Sequence, residues 1–155
     1  MPRIEQRRLI TADIERVFAI ARDIESFPRF MPDLQSLVVQ ERSLDGCRTV
    51  SEWVGLIREF KMTIKWVQED VWDLEAKRDQ FRLLKGDLNR MDGYWQFVAQ
   101  DGKTLFESVL DYEYNVPLIG PMIKTLIHKK MTENLNSMMA AIQQRAENSA
   151  TDVSK

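Results

Sequence analysis

The chain is short of the residue types on which most site chemistry is built. It has one cysteine, Cys47, and one histidine, His128, in 155 residues. A single cysteine excludes an internal disulfide and fits a reducing compartment. With no histidine near it in sequence, Cys47 reads as an ordinary strand residue. One His and one Cys cannot furnish a conventional zinc or transition-metal centre. Nor do they suggest a Ser-His-Asp or Cys-His nucleophile. Glycine is scarce, six in all, and no Gly-x-Gly-x-x-Gly or Walker pattern occurs, so no nucleotide cofactor is indicated. The chain also lacks an excess of charge of one sign, with 22 basic and 24 acidic residues and a formal net charge of −2. That balance carries no footprint for nucleic acid. Long apolar runs are missing, so nothing reads as a bilayer span. Met1 to Arg8 lacks the apolar core of a signal peptide. The expected setting is cytoplasmic.

What is present is patterning. Hydrophobic residues make up 44% of the chain, ordinary for one soluble domain. Arg3 to Ile10 reads as a first, edge-type strand. Thr11 offers a helix N-cap, with Asp13 and Glu15 suited to the positive end of the dipole. Ile14, Val17, Phe18 and Ala21 keep helical spacing. Asp23 can cap a second short helix carrying Ile24 and Phe27, limited by Pro28 and Pro32.

Six strands follow. They are expected at Leu34 to Arg42, Arg48 to Leu56, Phe60 to Trp66, Gln80 to Leu84, Tyr94 to Ala99 and Phe106 to Tyr114. Asp45-Gly46 and Asp101-Gly102 are hairpin signals. Phe60, Met62, Ile64 and Trp66 alternate with polar residues, as do Phe106, Ser108, Leu110, Tyr112 and Tyr114. Each set marks one buried face. Asp111 and Glu113 fall on the opposite, solvated face.

The last third reads as a long helix from Ile119 to Arg145, roughly 40 Å at about 1.5 Å per residue. Ile119, Ile123, Ile127, Met131, Leu135 and Met139 recur every four residues, flanked by Met122, Leu126, Met138 and Ile142. A four-residue repeat drifts around a helix of about 3.6 residues per turn. The stripe therefore winds, as suits a helix crossing a twisted sheet. The single domain is expected to span 1–146, with a polar, disordered tail at 147–155.

The fold class is thus α+β: a seven-stranded curved antiparallel sheet, two short helices after the first strand, and a long C-terminal helix over an internal pocket. Four methionines on the helix and three facing tryptophans suit an adaptable apolar ligand wall. A filled core is the plainer reading of any one of these residues. The expected ligand-binding set is Trp53, Phe60, Met62, Trp66, Phe81, Trp95, Phe97, Ser108, Leu110, Tyr112, Tyr114, Ile123, Ile127, Lys130 and Met131. Ser108, Tyr112 and Tyr114 would add hydrogen bonds. Lys130 falls near the pocket rim by helical count, where a snorkelling lysine is the alternative. Glu52 and Arg58 occupy positions whose facing depends on local bulges. His128 falls on the solvent face, in a small basic patch with Lys124, Lys129 and Lys130 that could meet an anionic membrane transiently. Phe27, Phe30 and Met31 fall near a loop, where they could form a lid or a partner-docking patch. No catalytic constellation, metal site or cofactor is indicated, and the oligomeric state is not encoded in any visible pattern.

Several of these stretches together resemble a known family. They are Val17-Phe18, Asp23 to Pro28, Met31-Pro32, Thr49 to Gly55 and Trp66 to Asp70. They continue with Leu84 to Asp87, Gly93 to Phe97, Leu110 to Tyr114 and Val116 to Met122. From Ile4 to Ala146 the chain resembles the START-like, or SRPBCC, helix-grip superfamily. Within it the resemblance is to the polyketide cyclase/dehydrase and coenzyme-Q-binding branch. The motifs are caps, turns and core positions, which specify fold rather than ligand. The resemblance implies binding or carriage of a lipid, isoprenoid quinone or polyketide-like molecule between sheet and helix. The alternatives are a cyclase, aromatase or dehydratase using the same pocket, which needs an ionisable group facing inward, and a protein- or ribosome-interacting module.

Overall fold

The computed structural model describes residues 2–114 and 120–152, without the side chains of Phe60 and of residues 149–152. Seven strands form one antiparallel sheet: β1 (Arg3–Ile10), β2 (Leu34–Arg42), β3 (Arg48–Ile57), β4 (Met62–Asp73), β5 (Arg78–Gly86), β6 (Arg90–Gln100) and β7 (Lys103–Glu113). Their order across the sheet is β1-β7-β6-β5-β4-β3-β2. The first two strands therefore lie on opposite edges. Helix α1 (Ile14–Arg22), a 3₁₀ turn at Ile24–Ser26 and the short helix α2 (Phe27–Phe30) carry the chain from one edge to the other. Helix α3 (Pro121–Asp152) completes the layer over the sheet. This is the helix-grip α+β architecture.

Local chemistry sets the joints. Asp101 (φ 50°) and Gly102 (φ 78°) are both left-handed, and Gln100 pairs with Lys103. A two-residue turn of this kind matches the twist of the strands it joins. Asp45-Gly46 instead belongs to a longer loop, in which the Gly46 amide donates to Ser43 O at 2.9 Å. The α1 cap is Asp13, not Thr11: its carboxylate accepts the Glu15 amide at 3.1 Å. Thr11 is drawn away, its amide donating to Glu147 of α3 at 2.8 Å.

Three expected boundaries shift. Phe60 is not a strand residue; Arg58–Phe60 form a 3₁₀ turn and Lys61 is left-handed, so β4 begins at Met62. β4 also runs past Trp66 to Asp73, giving an inner face of Ile64, Trp66, Gln68, Asp70 and Trp72. The polar tail expected from 147 is helical as far as Asp152. The Glu147 carboxylate accepts hydrogen bonds there from Thr11 and Gln143.

The core divides in two along the sheet. Phe18, Phe27, Trp53, Trp72, Trp95, Phe97 and Phe106 pack under the short helices and the C-terminal half of α3. Ile4, Ile57, Ile64, Leu88, Met91, Leu110 and Tyr112 form a second cluster nearer the helix's start. The stripe on α3 winds as anticipated, but its buried part is Ile127, Met139, Ile142 and Ala146. Met122 and Ile123, in the first turn, are 82% and 39% exposed. Ile119 lies outside the described residues.

Candidate functional site

A cavity of about 140 Å³ lies between the two core clusters, under the middle of α3. Its floor is the inner face of β3 to β7. Trp53 and Trp66, directly opposite each other on β3 and β4, stack at 5.7 Å between ring centres. Phe81, Trp95, Met91 and Leu110 continue the floor. Ile24 and Phe27 close one side, and Met131, Leu135 and Met138 form the roof. Gly55 leaves the β3 wall open beside Trp66, whose ring a Cβ there would touch at 3.4 Å. A smaller cavity of about 70 Å³ adjoins it and shares Gly55, Trp66, Asn134 and Met138. It continues the space toward Met31–Leu34, which brings the segment after α2 to the site. Asn134 spans this side, donating to Leu56 O at 3.2 Å.

Apart from Asn134 the lining is apolar except at one end. There the Trp66 indole donates to Gln68 Oε1 at 2.8 Å, and Gln68 Nε2 donates to Asp70 Oδ1 at 2.7 Å. Asp70 is in turn hydrogen-bonded to Asp79 of β5. Both carboxyls line the cavity and are 2% exposed. Burial raises the pKa of Asp70, opposed by the hydrogen bonds it accepts from Asp79 and Gln68. Burial raises Asp79 further, because the Asp70 charge opposes a second one beside it. Burial and their proximity thus disfavour charge on both carboxyls at once, with Asp79 the more strongly raised. Asp79 Oδ1 is buried and has no hydrogen-bond partner among the described residues. Beyond Asp70 on the same face, Trp72 packs edge-on against Phe18 at 5.7 Å.

Of the residues expected to bind ligand, Trp53, Trp66, Phe81, Trp95, Leu110 and Met131 line the cavity. The others whose side chains are described lie elsewhere. Phe97 stacks on Phe106 at 4.5 Å within the first core cluster. Ser108 is buried beside Trp95, its register neighbour, without reaching the lining. Met62 and Tyr114 pack against the second cluster, and Ile127 is buried. Ile123 is on the surface, because the first turn of α3 projects past the sheet-covering part of the stripe. The Phe60 side chain is outside the described residues. Lys130 does not reach the rim: its ammonium sits 3.0 Å from Glu59 and 3.2 Å from Glu133, which raises its pKa. Arg58 pairs with Asp33, which lines the smaller cavity, and Glu52 with Lys65; neither Arg58 nor Glu52 lines the larger one.

His128 is also corrected. It does not face solvent with Lys124 and Lys129; its Nδ1 lies 2.7 Å from the Tyr112 hydroxyl, with the rings stacked. Winding of the stripe brings 127 and 128 together onto the sheet side, which a count from Ile119 misplaced. Tyr112 is thereby engaged by α3 rather than presented to the cavity, and burial raises its pKa.

The residues missed from sequence are Gln68, Asp70 and Asp79, with Ile24, Phe27, Leu135 and Met138 among the apolar wall. A signal existed for Gln68 and Asp70. Trp72 keeps the parity of Trp66, so the positions between them face inward too. Among the described residues no three His, Cys, Asp or Glu are grouped to hold a metal ion. No described helix is long and apolar enough to cross a membrane.

Known proteins with this geometry are numerous. The protein TTHA0849 of Thermus thermophilus superposes with a TM-score of 0.88 at 31% identity, over 96% of this chain and 99% of its own. The Zhui aromatase/cyclase of Streptomyces sp. R1128 gives 0.86 at 14% identity, over 95% and 94%. A START superfamily protein of Mycobacterium smegmatis gives 0.78 at 22%, over 94% and 97%. The last two show the shared fold alone. No curated protein sequence matches the chain. Residues 10–139 match the family model described as polyketide cyclase / dehydrase and lipid transport, and the chain belongs to that family.

Proposed function

We propose that the protein binds an apolar, ring-containing small molecule in the cavity beneath α3. Trp53, Trp66, Phe81, Trp95, Leu110 and Met131 would make the contacts. The observation that carries this reading is the cavity's composition. Tryptophan and phenylalanine faces form its floor, and the unbranched side chains of Met131 and Met138 form its roof. Unbranched thioethers adapt their rotamers to differently shaped ligands. Burying the ligand's apolar surface would contribute about 25 cal/mol per Å². A lipid, isoprenoid quinone or polyketide-like molecule fits that chemistry, and the family description names both polyketide chemistry and lipid transport. Lys124 and Lys129 beside the exposed Met122 and Ile123 would suit brief contact with an anionic membrane during loading.

A second reading has its own support. A cyclase or dehydratase needs an ionisable group on the cavity wall, and Asp70 and Asp79 are both there. A neutral acid hydrogen-bonded to a carboxylate can serve as a proton donor and acceptor pair.

Native mass spectrometry of the purified protein, followed by organic extraction, tests the binding reading. A co-purifying apolar compound is the expected result. An empty protein that also fails to bind an apolar fluorescent dye would overturn it and favour a protein-interaction module.

A further inference from the structure

We propose that the Asp70–Asp79 pair is a recognition subsite for a hydroxyl group, phenolic, enolic or alcoholic, on an otherwise apolar ligand. The inference rests on the reading of the cavity as a small-molecule site and deepens it.

The hydrogen bonds around the pair all converge on Asp70. Gln68 Nε2 donates to its Oδ1 at 2.7 Å, held in that orientation by the Trp66 indole at 2.8 Å. Asp79 is hydrogen-bonded to Asp70 as well. Asp70 is thus supplied with donors, while Asp79 Oδ1 has none, although the residue is only 2% exposed and lines the cavity. Buried acceptors without a partner are rare in folded proteins. The hydroxyl of Thr49, directly opposite Asp70 on β3, is likewise buried without a partner. The cavity wall is therefore polar at this end, with Asn134 the one other polar side chain among the described lining residues.

The kind of atom selects the kind of ligand group. Two carboxyls bring four oxygens to this end of the cavity and Gln68 supplies one donor, so the subsite is richer in acceptors than in donors. A ligand carbonyl would meet it oxygen to oxygen. A ligand ammonium would have to leave water for apolar walls, at a large desolvation cost. A neutral O–H meets neither obstacle. The apolar body of the ligand would then lie along Trp53 and Trp66, under Met131 and Met138.

Three probes of similar shape separate the possibilities: naphthalene, methoxynaphthalene and naphthol. Their affinities are measured by quenching of tryptophan fluorescence on wild-type protein, Asp79→Asn and Asp79→Leu. Naphthol should bind wild type about tenfold tighter than methoxynaphthalene, as one buried hydrogen bond permits. Asp79→Asn should keep that preference, because its amide can donate to Asp70 and leave a carbonyl oxygen facing the cavity. Asp79→Leu should lose it while still binding naphthalene. Carboxyl-carbon NMR of wild type supplies a readout that needs no variant: the Asp79 resonance should move with naphthol and stay with naphthalene. Equal binding of all three probes, or a preference that survives in Asp79→Leu, would overturn the subsite and leave the cavity reading intact. Failure of every probe to bind would overturn the cavity reading, and the subsite with it.

Discussion

Trp53 and Trp66 stack with their planes 17° apart, and each indole N–H is taken by a residue two positions along its own strand: Ser51 for Trp53, Gln68 for Trp66. Ser51 and Gln68 are themselves register partners. The two rings therefore turn their polar edges to the same end of the cavity and leave the rest of their surface apolar. Trp66 is the first member of a chain that reaches Asp79. Trp66→Phe removes this donor together with part of the stacked ring; it should leave Gln68 Oε1 short of a partner and cost at least about 1–3 kcal/mol. Urea unfolding measures this; an unchanged midpoint would mean the indole bond does not hold Gln68 in place.

Cavity filling separates two positions that share the same apolar pattern. Leu110 lines the cavity, whereas Ile127 does not. Leu110→Trp should fill the space, lower the affinity for naphthalene at least about tenfold, and cost less than about 1.5 kcal/mol of stability. Ile127→Trp has no such space to enter and should cost about 1–3 kcal/mol through overpacking. Thermal melting and probe titration on both variants check the contrast.

The acid pair imposes a direction on stability against pH. Asp79 holds its proton in the folded chain well above the ordinary value of 3.8. Above that value the unfolded chain has released the proton and the folded chain has not. Stability therefore falls as pH rises from the ordinary carboxylate range through the folded pKa of the pair. Asp79→Asn cannot ionise, so its decline over the same window should be smaller, and its stability relative to wild type should rise with pH. Unfolding midpoints at a series of pH values decide; parallel profiles would contradict the raised pKa of Asp79.

Gly93 is a steric requirement of the sheet beneath the site. A Cβ there would collide with the Val109 carbonyl oxygen and lie 2.9 Å from the Phe81 ring. Gly93→Ala should push β6 from β7 and displace a floor residue, costing about 3 kcal/mol or more. Loss of soluble folded protein, or a large drop in melting temperature, is the expected outcome.

Legibility from sequence followed the range of the interactions. Alternation along β7 and the Asp101-Gly102 turn could be read directly, because strand parity and turn backbone are local properties. Trp53, Trp66, Phe81, Trp95 and Leu110 were recognisable as inward-facing for the same reason. Phe60 was misread because a left-handed Lys61 interrupts an alternation that looks unbroken in the sequence. His128 was misread because which side of α3 meets the sheet depends on how the helix lies, not on its own spacing.

What the sequence determined by itself, then, was the element order, the antiparallel sheet under a long helix, and the apolar character of the space between them. Each follows from periodicity and turn chemistry within short windows. Only the tertiary structure decided where that space stays open and what stands at its end. Asp70 and Asp79 lie on different strands, with register partners Phe81 and Trp72. Their meeting depends on the pairing of β4 with β5 and its bulge between Val67 and Gln68. Burial then raises the pKa of both carboxyls, a property that neither residue has in the unfolded chain.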